Sequence, residues 1–313
     1  MYDNIVLTGS IAYDEIMDFP GKFVDYFHPD KLHQINISFV VNRLEKQLGG
    51  IATSIAYNLS LITDKQVRVL GAIGRDGEEF LNFFKSKHID TSAILVDDKL
   101  YTAAGYGITD KKDNQIWGYY YGALEKGKKI SLKKFTNLKA LVIISANHFA
   151  PFLHFLDEAI RMKLDYMFDP GMTLTWISDR DLAKGVESCK WLVGNDYEIA
   201  QVLRRVKQTV HSLLKKNIAI ITTLGEKGVL YQEKDLELRI PAFKVKKVID
   251  PTGAGDAWRA GFVGGIIENK GVELSLKQAN ALASFAVEYY GTVNHRPKTK
   301  EIIDRINSLY VKT

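Results

Sequence analysis

The chain has 313 residues, 46% of them hydrophobic and 25% charged, and its 42 basic residues against 37 acidic ones leave a net charge of +5. That is the make-up of an ordinary water-soluble globular protein, long enough for one α/β core with an appendage. Its one cysteine, Cys189, excludes an intramolecular disulfide and a Cys-based zinc site and fits a reducing compartment. The lysine clusters Lys126-Gly127-Lys128-Lys129 and Lys244 to Lys247 sit beside apolar strands or turns without a base-stacking pattern. They read as solvated faces, not a nucleic-acid surface, while the mild positive field suits a polyanionic ligand.

The chain enters a strand pattern at Met1-Tyr2-Asp3-Asn4 without a basic region and apolar stretch, so no secretory signal and a cytoplasmic location are expected. Apolar, β-branched runs then recur at Ile5–Leu7, Val67–Ile73, Ala140–Ile144, Tyr166–Phe168, Trp191–Val193 and Ile218–Thr223. Amphipathic helical patterns lie between and after them at Ile51–Ile62, Glu78–Ser86, Phe152–Lys163, Tyr197–Lys207 and Ala279–Tyr290. This alternation predicts an α/β fold, a mainly parallel sheet covered by helices on both faces, with ligands beyond the carboxyl ends of its strands. The most apolar window, Ala140 to Leu156, is broken by Asn147, His148, Pro151 and His154 and does not read as a membrane span.

Two stretches break the rhythm, Tyr13 to Leu48 and Tyr101 to Tyr121. Ile35 to Val41 and Gly105 to Thr109 look like strands, and Lys111-Lys112-Asp113-Asn114 is a good hairpin turn. The expected organisation is an α/β core of residues 1–12, 49–100 and 122–313. A small β-flap of residues 13–48 and 101–121 lies over its binding edge.

Chemistry concentrates at residues 250–261, Asp-Pro-Thr-Gly-Ala-Gly-Asp-Ala-Trp-Arg-Ala-Gly, between a strand-like segment (Phe243 to Ile249) and a helical pattern. A Gly253-Ala254-Gly255 turn at a helix start aims unpaired N–H groups outward, and almost no side chain blocks an anion from them. Asp256, the first acid beyond the turn, can take a proton from a group attacking that anion; it is equally suited to complementing the helix dipole. Gly49-Gly50 before a helix lets a ligand hydroxyl approach the backbone. Asn195 and Glu198, three apart, share a helix face and could orient waters around Mg²⁺, or form a capping box. Asp14, after the first strand, can accept hydrogen bonds from vicinal hydroxyls, or serve a turn. The seven histidines have no ligand spacing.

Together these motifs resemble the ribokinase-like (PfkB) family of carbohydrate and nucleoside kinases over nearly the whole chain. The string at 250–261 matches that family's C-terminal signature, and Gly49-Gly50 its N-terminal one. Gly71 to Gly77 is similar to its second strand-to-helix junction, and Lys87 to Ser92 to the segment after the next helix. The resemblance implies a β-lid in the positions of the flap, ATP binding at Asn195, and contacts of Thr223 and Gly225 with ATP phosphate and adenosine. It places Asn280 near the adenine, Mg²⁺ held by Glu198 through water, and a monovalent cation such as K⁺ at Asp250 with the loop Tyr290-Gly291-Thr292.

Thr8 to Asp14, Phe19-Pro20-Gly21-Lys22-Phe23, Leu32-His33 and Ile37-Ser38-Phe39 are most similar to bacterial adenosine kinases of this family. That resemblance implies ribose contacts at Ser10, Asp14, Ser38 and Gly50, and an aromatic near Tyr119 stacking on the base. Three positions depart from it: Ser54 in place of the usual Asn, Gly171-Met172-Thr173 after Asp169-Pro170, and Gly105 where an aromatic is usual. All three fall in the acceptor pocket, not in the phosphate machinery. The expected activity is ATP-dependent phosphorylation of a nucleoside 5′-hydroxyl, adenosine to AMP, in purine salvage. A sugar kinase of the same family and a non-catalytic nucleoside sensor are the alternatives, and the chain is expected to act as a monomer or homodimer.

Overall fold

The computed structural model describes residues 2–27, 34, 36–112 and 114–309. Strand β1 (Asn4–Thr8) is followed by β2 (Ala12–Asp18), β3 (Arg43–Gly49), helix α1 (Ile51–Ser60), β4 (Gln66–Gly74), α2 (Glu78–Ser86), β5 (Ile94–Asp97), β6 (Ala103–Thr109) and β7 (Gln115–Tyr120). The chain continues through β8 (Ala140–Ser145), α3 (Phe149–Arg161), β9 (Tyr166–Asp169), α4 (Asp179–Ser188), β10 (Trp191–Asn195), α5 (Asp196–Val206) and α6 (Val210–Lys215). It ends with β11 (Ala219–Thr223), β12 (Val229–Glu233), β13 (Leu236–Ile240), α7 (Ala254–Ile267), α8 (Val272–Ala286) and α9 (Thr299–Ser308).

The large sheet runs in the order β13-β12-β11-β10-β9-β8-β1-β4-β5. Its pairs from β5 across to β11 are parallel; β12 and β13 close one edge antiparallel. Such strands are buried on both faces because crossover helices cover each side, which is why their sequences read as continuous apolar runs. Side chains alternate between two cores. Ile5 and Leu7 join residues of α1, α2, α7 and α8, and Val6 joins residues of α3, α4 and α5. Strand order reverses between β1 and β8, whose helices α1 and α3 serve opposite cores. That reversal opens a crevice at the carboxyl ends, the preferred place for a ligand in such sheets.

The second sheet has four strands in the order β3-β2-β6-β7. It is mixed, because β2 and β6 run parallel while the outer pairs are antiparallel. The strand expected at residues 35–41 does not form among the described residues. Phe39 packs instead with Phe19, Phe23, Tyr26 and Phe27, and the paired strand is the charged segment Arg43–Gly49. The expected turn at 111–114 does join β6 to β7, and Asp110 Oδ1 accepts from the amides of Lys112 and Asn114; Asp113, like Leu32-His33, lies outside the described residues.

The strand-like segment at 243–249 is irregular: β12 and β13 already fill the sheet edge, and Ile249 N donates to Val287 O at the end of α8 instead. The helix expected from Ala279 begins at Val272. No helix among the described residues is long and apolar enough to cross a membrane.

Candidate active site

The first turn of α7 forms one wall of the crevice. Gly253 caps the helix at φ +77°, and a Cβ there would stand 2.9 Å from Thr292 Cγ2, so both conformation and packing require glycine. Of the amides at this turn, Ala254 N donates to Pro251 O at 3.2 Å. This corrects the expectation that all three of residues 253–255 offer free donors. Among the described residues the amides of Gly253, Gly255 and Asp256 have no partner, and they form the cradle available to an anion. The loop beyond α8 braces this turn: Gly291 N donates to Asp250 Oδ2 and Thr252 N to Asp250 Oδ1, each at 2.9 Å.

Asp256 stands at that cradle, half-buried and without an ion pair among the described residues. The one arginine on its helix, Arg259, is bound elsewhere: Nη2 donates to Asp169 Oδ1 at 2.5 Å. Burial pushes the Asp256 carboxyl up to about 7; Arg259 opposes that rise, Asp169 adds to it, the Ser54 hydroxyl opposes it and Asp14 adds to it. A carboxylate that takes up a proton near neutrality is well matched to general-base work.

Asp14 faces it from β2. Its carboxylate packs on Gly49, where a Cβ would lie 2.0 Å from Oδ2, and Gly50 adopts φ +86° against the backbone of Ser10. Ser10 Oγ accepts from Ile51 N at 3.1 Å, which ties the end of β1 to the start of α1. Burial, then the charge of Asp250, pushes Asp14 up to about 6. Gln47, Asp14, Gly105 and Tyr119 stand side by side across the four strands of the small sheet. With no side chain at Gly105, the ring of Tyr119 leans over it, 3.2 Å from where a Cβ would be, and stacks on Trp117 at 5.8 Å and 8°. Tyr119 remains 61% exposed, and burial followed by the charge of Asp14 raises its pKa, which places the phenol near that acid.

The far end of the crevice is built by β10 and β11. Asn195 and Thr223 are register partners, so their side chains stand together at the strand ends. Asn195 and Glu198 form the capping box: Asn195 Oδ1 accepts from Glu198 N and Glu198 Oε2 from Asn195 N. Gly225 follows at φ +56° with open space where a Cβ would be.

Not every expected residue comes to the crevice. Ser38 is exposed in the irregular segment, with no hydrogen bond among the described residues. Asn280 is buried: Oδ1 accepts from Trp258 Nε1, and Nδ2 donates to the carbonyls of Ile240 and Pro241. Its acceptor is thus committed to α7 and both its donors to the end of β13, which leaves no side-chain donor over for a nucleotide. Ser54 is fully buried on α1, its Oγ facing Asp256 without a formed bond. The sequence reading also missed a lip of Tyr121, His148 and Phe149, whose rings lie 5.2 and 4.2 Å apart in succession. It assigned no role to Arg259 or Asp169, although a charged residue on an otherwise apolar helix just past a glycine turn was the available signal.

A doubly wound α/β core with a small second sheet over the strand ends, and a crevice between them that brings together an amide cradle and an acid unpaired among the described residues, define a fold of the ribokinase type. The pfkB family carbohydrate kinase profile matches residues 12–299. The chain belongs to that family. It is 29% identical over 314 residues to a nucleoside kinase of Methanothermobacter thermautotrophicus, covering 97% of this chain and 96% of the relative. Among solved structures, the nucleoside kinase of Burkholderia thailandensis in complex with inosine superposes with a TM-score of 0.86 at 28% identity, covering 98% of each chain. The nucleoside kinase of Methanocaldococcus jannaschii, an archaeal member of the ribokinase family, superposes at 0.85 and 26% identity, again over 98% of each.

Proposed function

We propose that the protein is an ATP-dependent nucleoside kinase that phosphorylates the 5′-hydroxyl of a purine nucleoside, with adenosine the first candidate. One observation carries this reading: an acid without an ion-pair partner, Asp256, stands at an amide cradle in a crevice whose opposite wall presents Asp14 beside an exposed aromatic stack. The named relatives are nucleoside kinases, and one of them holds inosine, which supports a purine acceptor.

Asp14, the backbone at Gly50 and the hydroxyl of Ser10 would orient the ribose, and Tyr119 would lie against the base. Asp256 accepts the proton of the 5′-hydroxyl as its oxygen attacks the γ-phosphorus; the bond from γ-phosphorus to the bridging oxygen breaks and ADP leaves. The amides of Gly253, Gly255 and Asp256 hold the charge on the transferring group, and such preorganised donors supply most of the acceleration in reactions of this kind. Thr223 and Gly225 would receive the nucleotide. Glu198, a carboxylate in the first turn of α5, fits an ion that keeps several waters; bound there through water, Mg²⁺ would supply charge neutralisation on the phosphates. Both oxygens of Asp250 already tether backbone amides, so a role for K⁺ there would rest on their remaining lone pairs. The small sheet would act as a lid that excludes water, the competing acceptor.

Radiolabelled ATP offered with a panel of nucleosides and free pentoses tests this directly. Label should pass to a nucleoside 5′-hydroxyl, and Asp256→Asn should lower kcat by roughly a hundredfold or more with ADP binding retained. Label passing to ribose alone would replace the acceptor, and undiminished turnover in the variant would remove Asp256 as the base.

A further inference from the structure

Arg259 and Asp169 form an ion pair that the transfer chemistry above leaves unused. They are 9% and 2% exposed, one on the second turn of α7 and the other at the end of β9. Desolvating two ions offsets most of their attraction, and apolar replacements of such pairs are often neutral or stabilising, so stability alone is a poor reason for this one. Its surroundings point elsewhere. Asp169 is the register partner of Ser145, so both side chains face the α7 side of the sheet. Arg259 reaches back along its helix until Nη1 lies 2.7 Å from where a Cβ on Gly255 would be. Arg259 Nε and the hydroxyls of Ser54, Ser145 and Thr173 are buried without a partner among the described residues. The pair therefore sits in polar, incompletely bonded ground directly behind the amide cradle.

We propose that Arg259, anchored by Asp169, is a positioning residue for Asp256: its guanidinium, reaching back over Gly255 from the next turn of α7, sets the charge environment of that carboxylate, and Asp169 limits the strength of its field. The proposal rests on Asp256 being the base. The charged neighbours of Asp256 are Arg259 on its own helix, Asp169 at the end of β9 and Asp14 on β2, with the Ser54 hydroxyl on α1. Glu198 on α5 acts on Arg259, and Asp250 acts on Asp14. Burial is what raises Asp256, and within that raised range Arg259 pulls down while Asp169 and Asp14 push up. The two members of the pair therefore act on the same carboxylate with opposite sign, and the guanidinium that does so lies against the Gly255 turn next to it.

The test follows the Asp256 carboxyl by ¹³C NMR in the full-length protein with labelled aspartate, assigned by its loss in Asp256→Asn, beside the pH profile of kcat/KM. Asp169→Asn should lower the titration and the acid limb by about one pH unit, and Arg259→Gln should raise both by about one unit or more, with the double variant in between. Movement of both singles in one direction, or of neither, overturns the proposal. Should Arg259→Gln fail to fold because it strands Asp169, the double variant strands no charge. Asp169→Asn and the double then decide alone: a double titrating no higher than Asp169→Asn also overturns it. Full turnover in Asp256→Asn removes the base reading while leaving the NMR ordering legible, so the two failures are distinguishable.

Discussion

The two ends of the crevice are made of different material. At the proposed phosphate end the parts are backbone: a glycine at φ +77°, amides left over by a helix start, and two strand ends held in register. At the proposed acceptor end they are side chains on a small mixed sheet, where Asp14 packs on Gly49 and Tyr119 lies over Gly105. The small sheet repeats the contrast within itself. Phe39 is half-buried among Phe19, Phe23, Tyr26 and Phe27, whereas Tyr119, stacked on Trp117, is exposed. In the proposed reading the backbone device would bind what every kinase of the class must bind, and the side-chain device could vary with the acceptor at little expense to the rest.

The sharpest way to break this comparison is Gly253→Ala. A side chain at positive φ, pressed on Thr292, would displace the cradle, and kcat/KM should fall by about a hundredfold for every acceptor alike. A loss confined to one acceptor would mean that the turn reads the substrate as well as the phosphate. Next in size is the aromatic pair. Tyr119→Ala should raise the nucleoside KM by about tenfold and leave thermal stability nearly unchanged, as loss of one base stack would. Phe39→Ala should do the reverse, removing about 1–2 kcal/mol of stability with KM preserved. Equal behaviour of the two variants would dissolve the distinction between exposed and half-buried rings.

The smallest effect concerns pH and stability. The folded-state pKa of Asp256 lies near 7, above the roughly 3.9 of an unfolded aspartate, so between about pH 4 and 7 the folded chain holds the extra proton. Its stability must fall as pH rises through that window. Asp256→Asn, which never ionises, should melt roughly 2–5 °C above the natural chain at pH 8 and together with it at pH 4. A calorimetric scan showing equal melting temperatures at both values would mean that the carboxylate is not held in a desolvated place.

Much of the core was legible because its signals are local. Strands β1, β8, β9, β10 and β11 announce themselves as unbroken apolar runs, and β4 as one interrupted by Arg68, since a parallel strand buried on both faces has no polar side to alternate. The small sheet was harder. Arg43–Gly49 carries the charge pattern of an exposed segment and pairs only because β2 lies beside it, while the β-rich stretch around Phe39 collapses onto neighbouring rings.

The amino-acid order by itself determined where the anion cradle lies and which acid follows it, because a glycine turn and a helix start are set within a few neighbouring residues. Folding alone decided what that acid feels. Asp169 and Arg259 are 90 positions apart, and Asp14 reaches the same crevice from the small sheet. Electrostatic coupling depends on separation in space and on the exclusion of water, and neither is written in local order. Asn280 teaches the same from the other side: the amide that the family resemblance puts near an adenine is enclosed once α7 and β13 close around it.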